Sequence, residues 1–217
     1  MVFLEKLINS IITNKDMPKV QVEREISPIL DIFMDDILKE MIGQDNDSFK
    51  HIMSEFPIQS LKKENDKQTN RSVNIDSLFL QNDDTLVFVE LKTDKTSYKV
   101  EQKERYVKLI EKIKNDNADF LFDFLENYLA KKGSKKAKYI TALNLIKDNF
   151  DLDGLKQIKK ARLIYIVPNS TKEKIKNETD IDKVIDFTQI SDLKLQKHIY
   201  TDEWKIITKD LRKLDEN

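Results

Sequence analysis

The spacing of apolar and polar positions along the chain alternates between two periods. An apolar residue at about every third or fourth position indicates an amphipathic helix, whereas short apolar runs bounded by turn residues indicate strands. Helical spacing covers residues 20–41, 97–114, 118–130, 139–150 and 201–214, and strand-like patterns cover 51–61, 72–80, 85–91, 162–168 and 183–190. The order of these segments predicts an α/β fold with a mixed central sheet flanked by helices.

Capping residues indicate where two of the predicted helices begin. Within residues 20–41, Ser27-Pro28 is a typical cap and first turn. The helix therefore either begins near Ser27 or runs through from residue 20, and the sequence leaves both open. Thr201 is expected to cap the last helix, and Trp204 to anchor that helix in the core.

Composition excludes several classes of protein. The 217 residues suit one domain with its own core. The formal net charge is −1, from 38 basic and 39 acidic side chains. The chain therefore has no overall positive charge that would indicate a nucleic-acid partner. Cysteine is absent, which excludes disulfides, thiolate metal sites and cysteine nucleophiles. With only three glycines, the chain contains neither GxGxxG nor a P-loop.

No segment has the pattern of a membrane span or a signal peptide. No apolar run reaches the roughly 18 residues of a membrane span. The amino-terminal segment MVFLEKLINSIITNK is interrupted by polar residues and lacks a small-residue cleavage site, so it predicts a short amphipathic helix. We therefore expect a soluble, cytoplasmic protein with no membrane partner.

The segment TLVFVELKTDK, residues 85–95, joins a core strand to charged residues. Leu86 to Val89 are apolar, and Glu90 and Lys92 follow within the same pattern, two residues apart and therefore on one face. Charged groups are rarely buried unless they are paired or bind a metal. The charged end of this strand is therefore a candidate functional site.

The preceding strand supplies a second carboxylate. If QNDD forms the turn of a hairpin, paired positions sum to about 166, which sets Asp76 opposite Glu90. A slip of one residue would move Asp76 to the other face. Two adjacent carboxylates repel each other, and Mg²⁺ bound between them removes the repulsion. We predict that Asp76 and Glu90 bind Mg²⁺ and that Lys92 positions or activates a water beside it.

The segment NIDSLFLQNDDTLVFVELK resembles the signature of the PD-(D/E)XK nuclease superfamily. That signature has one acid on the second core strand and (D/E)xK on the third, which match Asp76, Glu90 and Lys92; Ile75 replaces the nominal proline before the first acid. The resemblance implies a restriction-endonuclease-like αβββαβ core in a single domain, 1–217. Its parts would be a core at about 20–114 and 160–190, a helical insertion at about 115–160 and a carboxy-terminal helix at about 201–214.

The same resemblance implies an activity and its partners. The expected reaction is Mg²⁺-dependent hydrolysis of phosphodiester bonds in nucleic acid, with DNA favoured over RNA and Mn²⁺ able to substitute for Mg²⁺. A homodimer is compatible with it, because many proteins of this fold act as dimers. The basic segment KKGSKKAK offers candidates for phosphate contacts: Lys131, Lys132, Lys135 and Lys136.

Two further elements are similar to parts of this superfamily. Gln102 and Tyr106 lie four residues apart on one apolar helical stripe, as in the QxxxY motif of RecB-like exonucleases. The resemblance implies that Gln102 orients a ligand or the DNA backbone and that Tyr106 supports it. An acid from the first core helix often joins the site in this superfamily, and both Glu23 and Glu25 are candidates, depending on where that helix begins.

Simpler interpretations of the same residues stay open. ExK occurs three times in the chain, and only its first occurrence lies in an apolar strand. Glu90 and Lys92 could form an ion pair at a strand end, with Asp76 solvated at a sheet edge. The helix could pack through Tyr106 and leave Gln102 partly exposed. For function, the alternative is a catalytically inactive nuclease fold that binds nucleic acid or another protein.

Overall fold

A computed structural model of the protein describes residues 2–13, 22–58, 73–94, 96–130, 136–195 and 199–215. The strands are β1 (Phe49–Ile58), β2 (Val73–Gln81), β3 (Thr85–Leu91), β4 (Lys160–Ile166) and β5 (Lys183–Ile185). The helices are α1 (Val2–Thr13), α2 (Val22–Asp31), α3 (Met34–Ile42), α4 (Val100–Asn115), α5 (Asp119–Ala130), α6 (Lys136–Asn149), α7 (Leu152–Lys156), α8 (Asn169–Ile175), α9 (Phe187–Ser191) and α10 (Thr201–Leu211). A 3₁₀ turn, Arg212–Leu214, follows α10.

The five strands form one mixed sheet in the order β1-β2-β3-β4-β5, and helices flank it. β2 and β3 are antiparallel, whereas β4 and β5 are parallel. This arrangement confirms the predicted α/β class. Among the helices described, none is long and apolar enough to cross a bilayer.

The chain divides into two compact units. The first contains residues 1–49, 90–99 and 164–217, and the second contains residues 50–89 and 100–163. The first unit therefore holds α1–α3, α8–α10, β5 and the last two residues of β3, and the second holds the β2–β3 turn and α4–α7. The single domain and its insertion stay predictions, although α5, α6 and α7 do lie between residues 115 and 160.

The turn between β2 and β3 lies where the sequence predicts it. Ser77 pairs with Val89 and Gln81 with Thr85, which is the register expected for a turn at QNDD. Asn82 and Asp83 have φ angles of 51° and 59°, in the left-handed region that tight hairpin turns use. Asn and Asp tolerate that region better than other residues with side chains. The turn chemistry thus helps to fix the register of both strands.

The boundaries of α2 rule out a helix that begins near Ser27. α2 spans Val22–Asp31 and contains Pro28. Pro28 cannot donate a backbone hydrogen bond, so it weakens the helix at that point, and α2 ends three residues later. Ser27-Pro28 therefore precedes the break between α2 and α3 and does not start a helix.

Two other predicted ends are wrong for local reasons. The strand expected at 183–190 is only the three residues of β5, because the Asp186 side chain accepts a hydrogen bond from Gln189 N (2.7 Å) and caps α9. At the carboxy-terminal helix, Tyr200 is the N-cap residue, and Thr201 is the first helical residue. The Thr201 hydroxyl instead donates to Leu195 O at 3.0 Å.

Trp204 anchors α10 in the core of the first unit, as the sequence predicts. Its side chain is buried, and its ring centroid lies 4.9 Å from that of Phe33. The indole N–H donates to Leu193 O at 2.9 Å, which satisfies the polar atom of a buried indole. α10 is thus held both by apolar packing and by a directed hydrogen bond.

Asp215 caps two short helices that precede it in the chain by 46 and 27 residues. Its carboxylate accepts backbone N–H bonds from Asn169 (2.9 Å) at the start of α8 and from Thr188 (2.6 Å) in the first turn of α9. We expect Asp215→Ala to lower the free energy of unfolding by about 1–2 kcal/mol, because both helix starts lose a cap. Urea denaturation measures the change. Asp215→Asn retains one acceptor oxygen and should lose less; wild-type stability in Asp215→Ala would contradict the capping role.

Candidate functional site

In the first unit, Lys92 lies between two carboxylates. Its ammonium forms an ion pair with Glu90 Oε1 and lies 3.5 Å from Glu23 Oε2. It also donates to Leu91 O at 3.0 Å. The exposed fraction of the side chain is 7% for Lys92, 0% for Glu90 and 31% for Glu23. We call Glu23, Glu90 and Lys92 the acid–lysine cluster.

Local sequence explains how these side chains meet. All seven residues of β3 are buried, and Lys92 follows directly, with its backbone N–H donating to Ile166 O at 2.8 Å. Glu90 and Lys92 are two residues apart in extended backbone, so their side chains share a face. The strand pairing therefore continues past the end of β3 and fixes the lysine beside the carboxylate.

The helix α2 supplies the second carboxylate of the cluster. Val22, Ile26 and Leu30 form its buried stripe. Glu23 lies at the edge of that stripe and is partly buried, whereas Glu25 is exposed. The contact with Lys92 therefore distinguishes the two acids that the sequence left equivalent, and it favours Glu23.

The acid–lysine cluster places groups of opposite charge type in contact. A buried carboxylate without a partner is strongly destabilising, since it has lost its hydration. Lys92 provides the compensating charge for Glu90, and its ammonium also contacts Glu23 Oε2 and Leu91 O. With two carboxylates and one ammonium, the cluster keeps an excess negative charge if all three groups are ionised. That excess is the kind of environment that attracts a cation.

Asp76 lies on β2, next to the residue that starts the observed pairing. The register in which Ser77 faces Val89 is the one that, continued by one residue, sets Asp76 opposite Glu90. That opposition stays a prediction from the sequence. β2 lies between β1 and β3, and Asp76 is partly buried, so a solvated position at a sheet edge is excluded.

In the second unit, Gln102 and Tyr106 form a hydrogen-bonded chain. Gln102 Nε2 donates to Tyr106 Oη at 2.9 Å, and Tyr106 Oη donates to Asn74 O at 2.9 Å. Tyr106 is buried, and its ring packs edge-on against Phe88. Gln102 thus bonds to Tyr106 itself, and the pair ties α4 to β2 two residues before Asp76. Asn74 was not predicted, because a main-chain carbonyl acceptor leaves no signal in the sequence.

Removal of the Tyr106 hydroxyl should weaken this connection. We expect Tyr106→Phe to lower the free energy of unfolding by about 1–3 kcal/mol, because buried polar groups lose their partner. Urea denaturation of Tyr106→Phe, Gln102→Met and the double variant gives the coupling between them. The two effects should be less than additive. Strict additivity would contradict a hydrogen-bonded chain.

Tyr98 does not belong to α4, although the helical pattern at 97–114 includes it. α4 begins at Val100, and Tyr98 precedes it in the first unit. Its hydroxyl donates to Glu178 Oε1 at 3.0 Å, and its ring packs against Tyr165. Burial raises the pKa of Tyr98 well above its ordinary value, and the Glu178 carboxylate raises it further. Tyr98 is therefore a neutral hydrogen-bond donor at physiological pH.

The proposed phosphate-binding lysines are mostly outside the described residues. Lys131, Lys132 and Lys135 lie there, and Lys136 is the first residue of α6. Farther along the chain, two lysines of the basic segment KQIKKAR make internal contacts. Lys156 bonds to Asp123 and Glu126, both at 2.7 Å, and Lys160 to Asp84 at 2.6 Å. These pairings favour a structural role for that second segment.

The residues of the acid–lysine cluster have the donor chemistry that Mg²⁺ prefers. Magnesium typically takes one or two protein carboxylates, and waters or substrate phosphates complete its coordination. Glu90 and Glu23 supply such oxygens around one ammonium. Across the described ranges, no group of three or more carboxylate, imidazole or thiolate side chains is placed to hold a metal ion. A site here would therefore depend on water and substrate for its remaining ligands.

Comparison of the chain with protein-family models, with curated proteins and with solved structures gave no match.

Proposed function

We propose that the protein is a Mg²⁺-dependent nuclease that hydrolyses phosphodiester bonds in nucleic acid, with DNA as the favoured substrate. The observation that supports it most is the fully buried Glu90 carboxylate, held against Lys92 at the end of a core strand. The resemblance to PD-(D/E)XK nucleases, with its restriction-endonuclease-like core, belongs to the same proposal. Asp76 is included in the proposed site because the hairpin pattern of the sequence predicts it opposite Glu90.

The proposed roles follow from the charges of the residues. Glu90 and Asp76 are the carboxylates that would hold the cation. Bound Mg²⁺ would supply Lewis-acid chemistry, polarising a phosphate oxygen and lowering the pKa of a coordinated water. Lys92 would orient that water, or offset the negative charge that develops on the phosphate in the transition state. Glu23 also contacts the lysine, so in the absence of metal it helps to position Lys92.

A purely structural ion pair is the competing explanation of Glu90 and Lys92. Buried ion pairs are weak contributors to stability, because their desolvation offsets most of the Coulomb attraction. Apolar residues would fill the end of β3 at less cost, as Leu86, Val87, Phe88 and Val89 do in the middle of that strand. A buried acid–lysine pair in an otherwise apolar strand therefore favours a chemical role.

An inactive nuclease fold that serves as a binding module is the second candidate. The observation that favours it is the contact of the Lys92 ammonium with protein oxygens of Glu90, Glu23 and Leu91. The near-zero net charge of the chain points the same way. Calorimetry with Mn²⁺ distinguishes the two candidates, with Asp76→Asn as control. Binding that weakens in Asp76→Asn supports the nuclease, and an absence of Mn²⁺ binding, with or without DNA, supports the module.

A cleavage panel tests the activity directly. The protein is incubated with linear, circular, single-stranded and branched DNA and with RNA, each with Mg²⁺ and with EDTA. We expect cleavage of at least one substrate in Mg²⁺ and none in EDTA. The pattern of products separates endonucleolytic from exonucleolytic cutting. Intact substrates throughout the panel would contradict the proposal.

A further inference from the structure

In the acid–lysine cluster, the ammonium of Lys92 contacts the carboxylates that would otherwise bind a metal cation. It contacts one oxygen of Glu90, one of Glu23 and the Leu91 carbonyl. These contacts hold the ammonium against protein oxygens, and the Glu90 carboxylate that it faces is fully buried. In this arrangement the ammonium is directed at protein oxygens and not at a water or a phosphate. The state described is therefore not the one in which the lysine acts on substrate.

A divalent cation and the ammonium would compete for the same carboxylate oxygens. Both are positive, and both gain most from the buried Glu90, which is a strong partner because it has lost its hydration. A cation on Glu90 would also repel the ammonium held within hydrogen-bonding distance of it. The two positions are thus mutually exclusive, or nearly so.

We propose that Lys92 is an internal counter-ion that leaves Glu90 and Glu23 when a divalent metal binds, so that metal binding releases the lysine for the substrate phosphate. The inference rests on the proposed nuclease function. It adds that metal binds first and that Lys92 becomes available to the substrate only afterwards. The flexible four-carbon stem of lysine permits this movement without a change in the backbone. In the absence of metal, the lysine is held against both carboxylates and offsets part of their negative charge.

The position of Glu23 makes the exchange physically accessible. Glu90 is fully buried, whereas about a third of the Glu23 side chain is exposed. An incoming cation therefore meets Glu23 first. The Glu23 contact with Lys92 is also the longest of the three, at 3.5 Å, so it is the one most easily replaced. Glu25 is exposed and gives a matched control on the same helix.

Calorimetric titration with Mn²⁺ measures the competition. Lys92→Met removes the ammonium and keeps most of the side-chain volume, so we expect it to bind Mn²⁺ at least about tenfold more tightly than the wild type. Glu23→Gln should weaken binding, Glu25→Gln should not, and Lys160→Met should match the wild type. Equal affinity for Mn²⁺ in Lys92→Met and wild type, with cleavage activity intact in the wild type, would overturn the displacement of Lys92. The proposed nuclease function would not be affected. An absence of Mn²⁺ binding in every protein would overturn the proposed function with it.

A second measurement uses the wild-type protein and is independent of how Lys92→Met folds. With ¹⁵N-labelled lysine, the buried ammonium of Lys92, which contacts protein oxygens, should give a slowly exchanging NMR signal, assigned through its side-chain carbons. Addition of diamagnetic Mg²⁺ should shift that signal or broaden it by solvent exchange. Exposed ammonium groups such as that of Lys160 should not respond. A Lys92 signal that stays unchanged at saturating Mg²⁺ would overturn the displacement.

Discussion

Replacement of Lys92 by methionine is expected to lower the free energy of unfolding by about 3–5 kcal/mol in metal-free buffer. The reason is the burial of Glu90, whose carboxylate is 0% exposed and loses the ammonium that compensates it. Removal of one partner of a buried ion pair costs far more than the pair contributes when intact. Urea denaturation at constant pH in EDTA measures the loss.

Two companion variants identify the origin of that loss. The double variant Glu90→Gln/Lys92→Met removes both charges, so most of the stability should return. Lys160→Met, which breaks an exposed pair with Asp84, should change the free energy of unfolding by less than about 1 kcal/mol. If Lys92→Met were as mild as Lys160→Met, the cluster would not be the buried, charged group that the proposed chemistry needs.

The second large effect is expected on cleavage. Asp76→Asn should lower the Mg²⁺-dependent cleavage rate by a factor on the order of 10² or more, because a preorganised charge at the reacting centre is lost. Asn keeps the shape of the side chain, so the fold should persist. Asp83→Asn is a matched control, since Asp83 is an exposed acid in the turn of the same hairpin and its φ of 59° suits Asn. Cleavage that survives both Asp76→Ala and Lys92→Ala would contradict the proposed site.

The hairpin was predictable because its signals are local. An apolar run, a tetrad rich in turn residues and a second apolar run fix the strands, and the residues Asn82 and Asp83 suit the turn that joins them. The observed pairing of Ser77 with Val89 follows from those features. The adjacency of Glu90 and Lys92 on one face needs only the twofold period of a strand.

The contacts that organise the cluster were less predictable because they are distant in the chain or use the backbone. Glu23 is 69 residues from Lys92 in the chain. From the sequence alone, Glu23 could be preferred to Glu25 only if the start of α2 were known. The Leu91 and Asn74 carbonyls that accept from Lys92 and Tyr106 are invisible in any residue pattern. The end of β5 was missed because the capping box of Asp186 and Gln189 prevails over the β propensity of the residues after it.

The most direct test of the proposed activity is a Mg²⁺ titration of nucleic-acid cleavage with protein first stripped of metal by EDTA. Wild type, Asp76→Asn and Asp83→Asn are compared on whichever substrate the panel identifies. We predict that cleavage rises with Mg²⁺ in the wild type and in Asp83→Asn and stays near background in Asp76→Asn. Cleavage that is independent of Mg²⁺, or equal in Asp76→Asn and Asp83→Asn, would contradict a metal-dependent nuclease built on Asp76, Glu90 and Lys92.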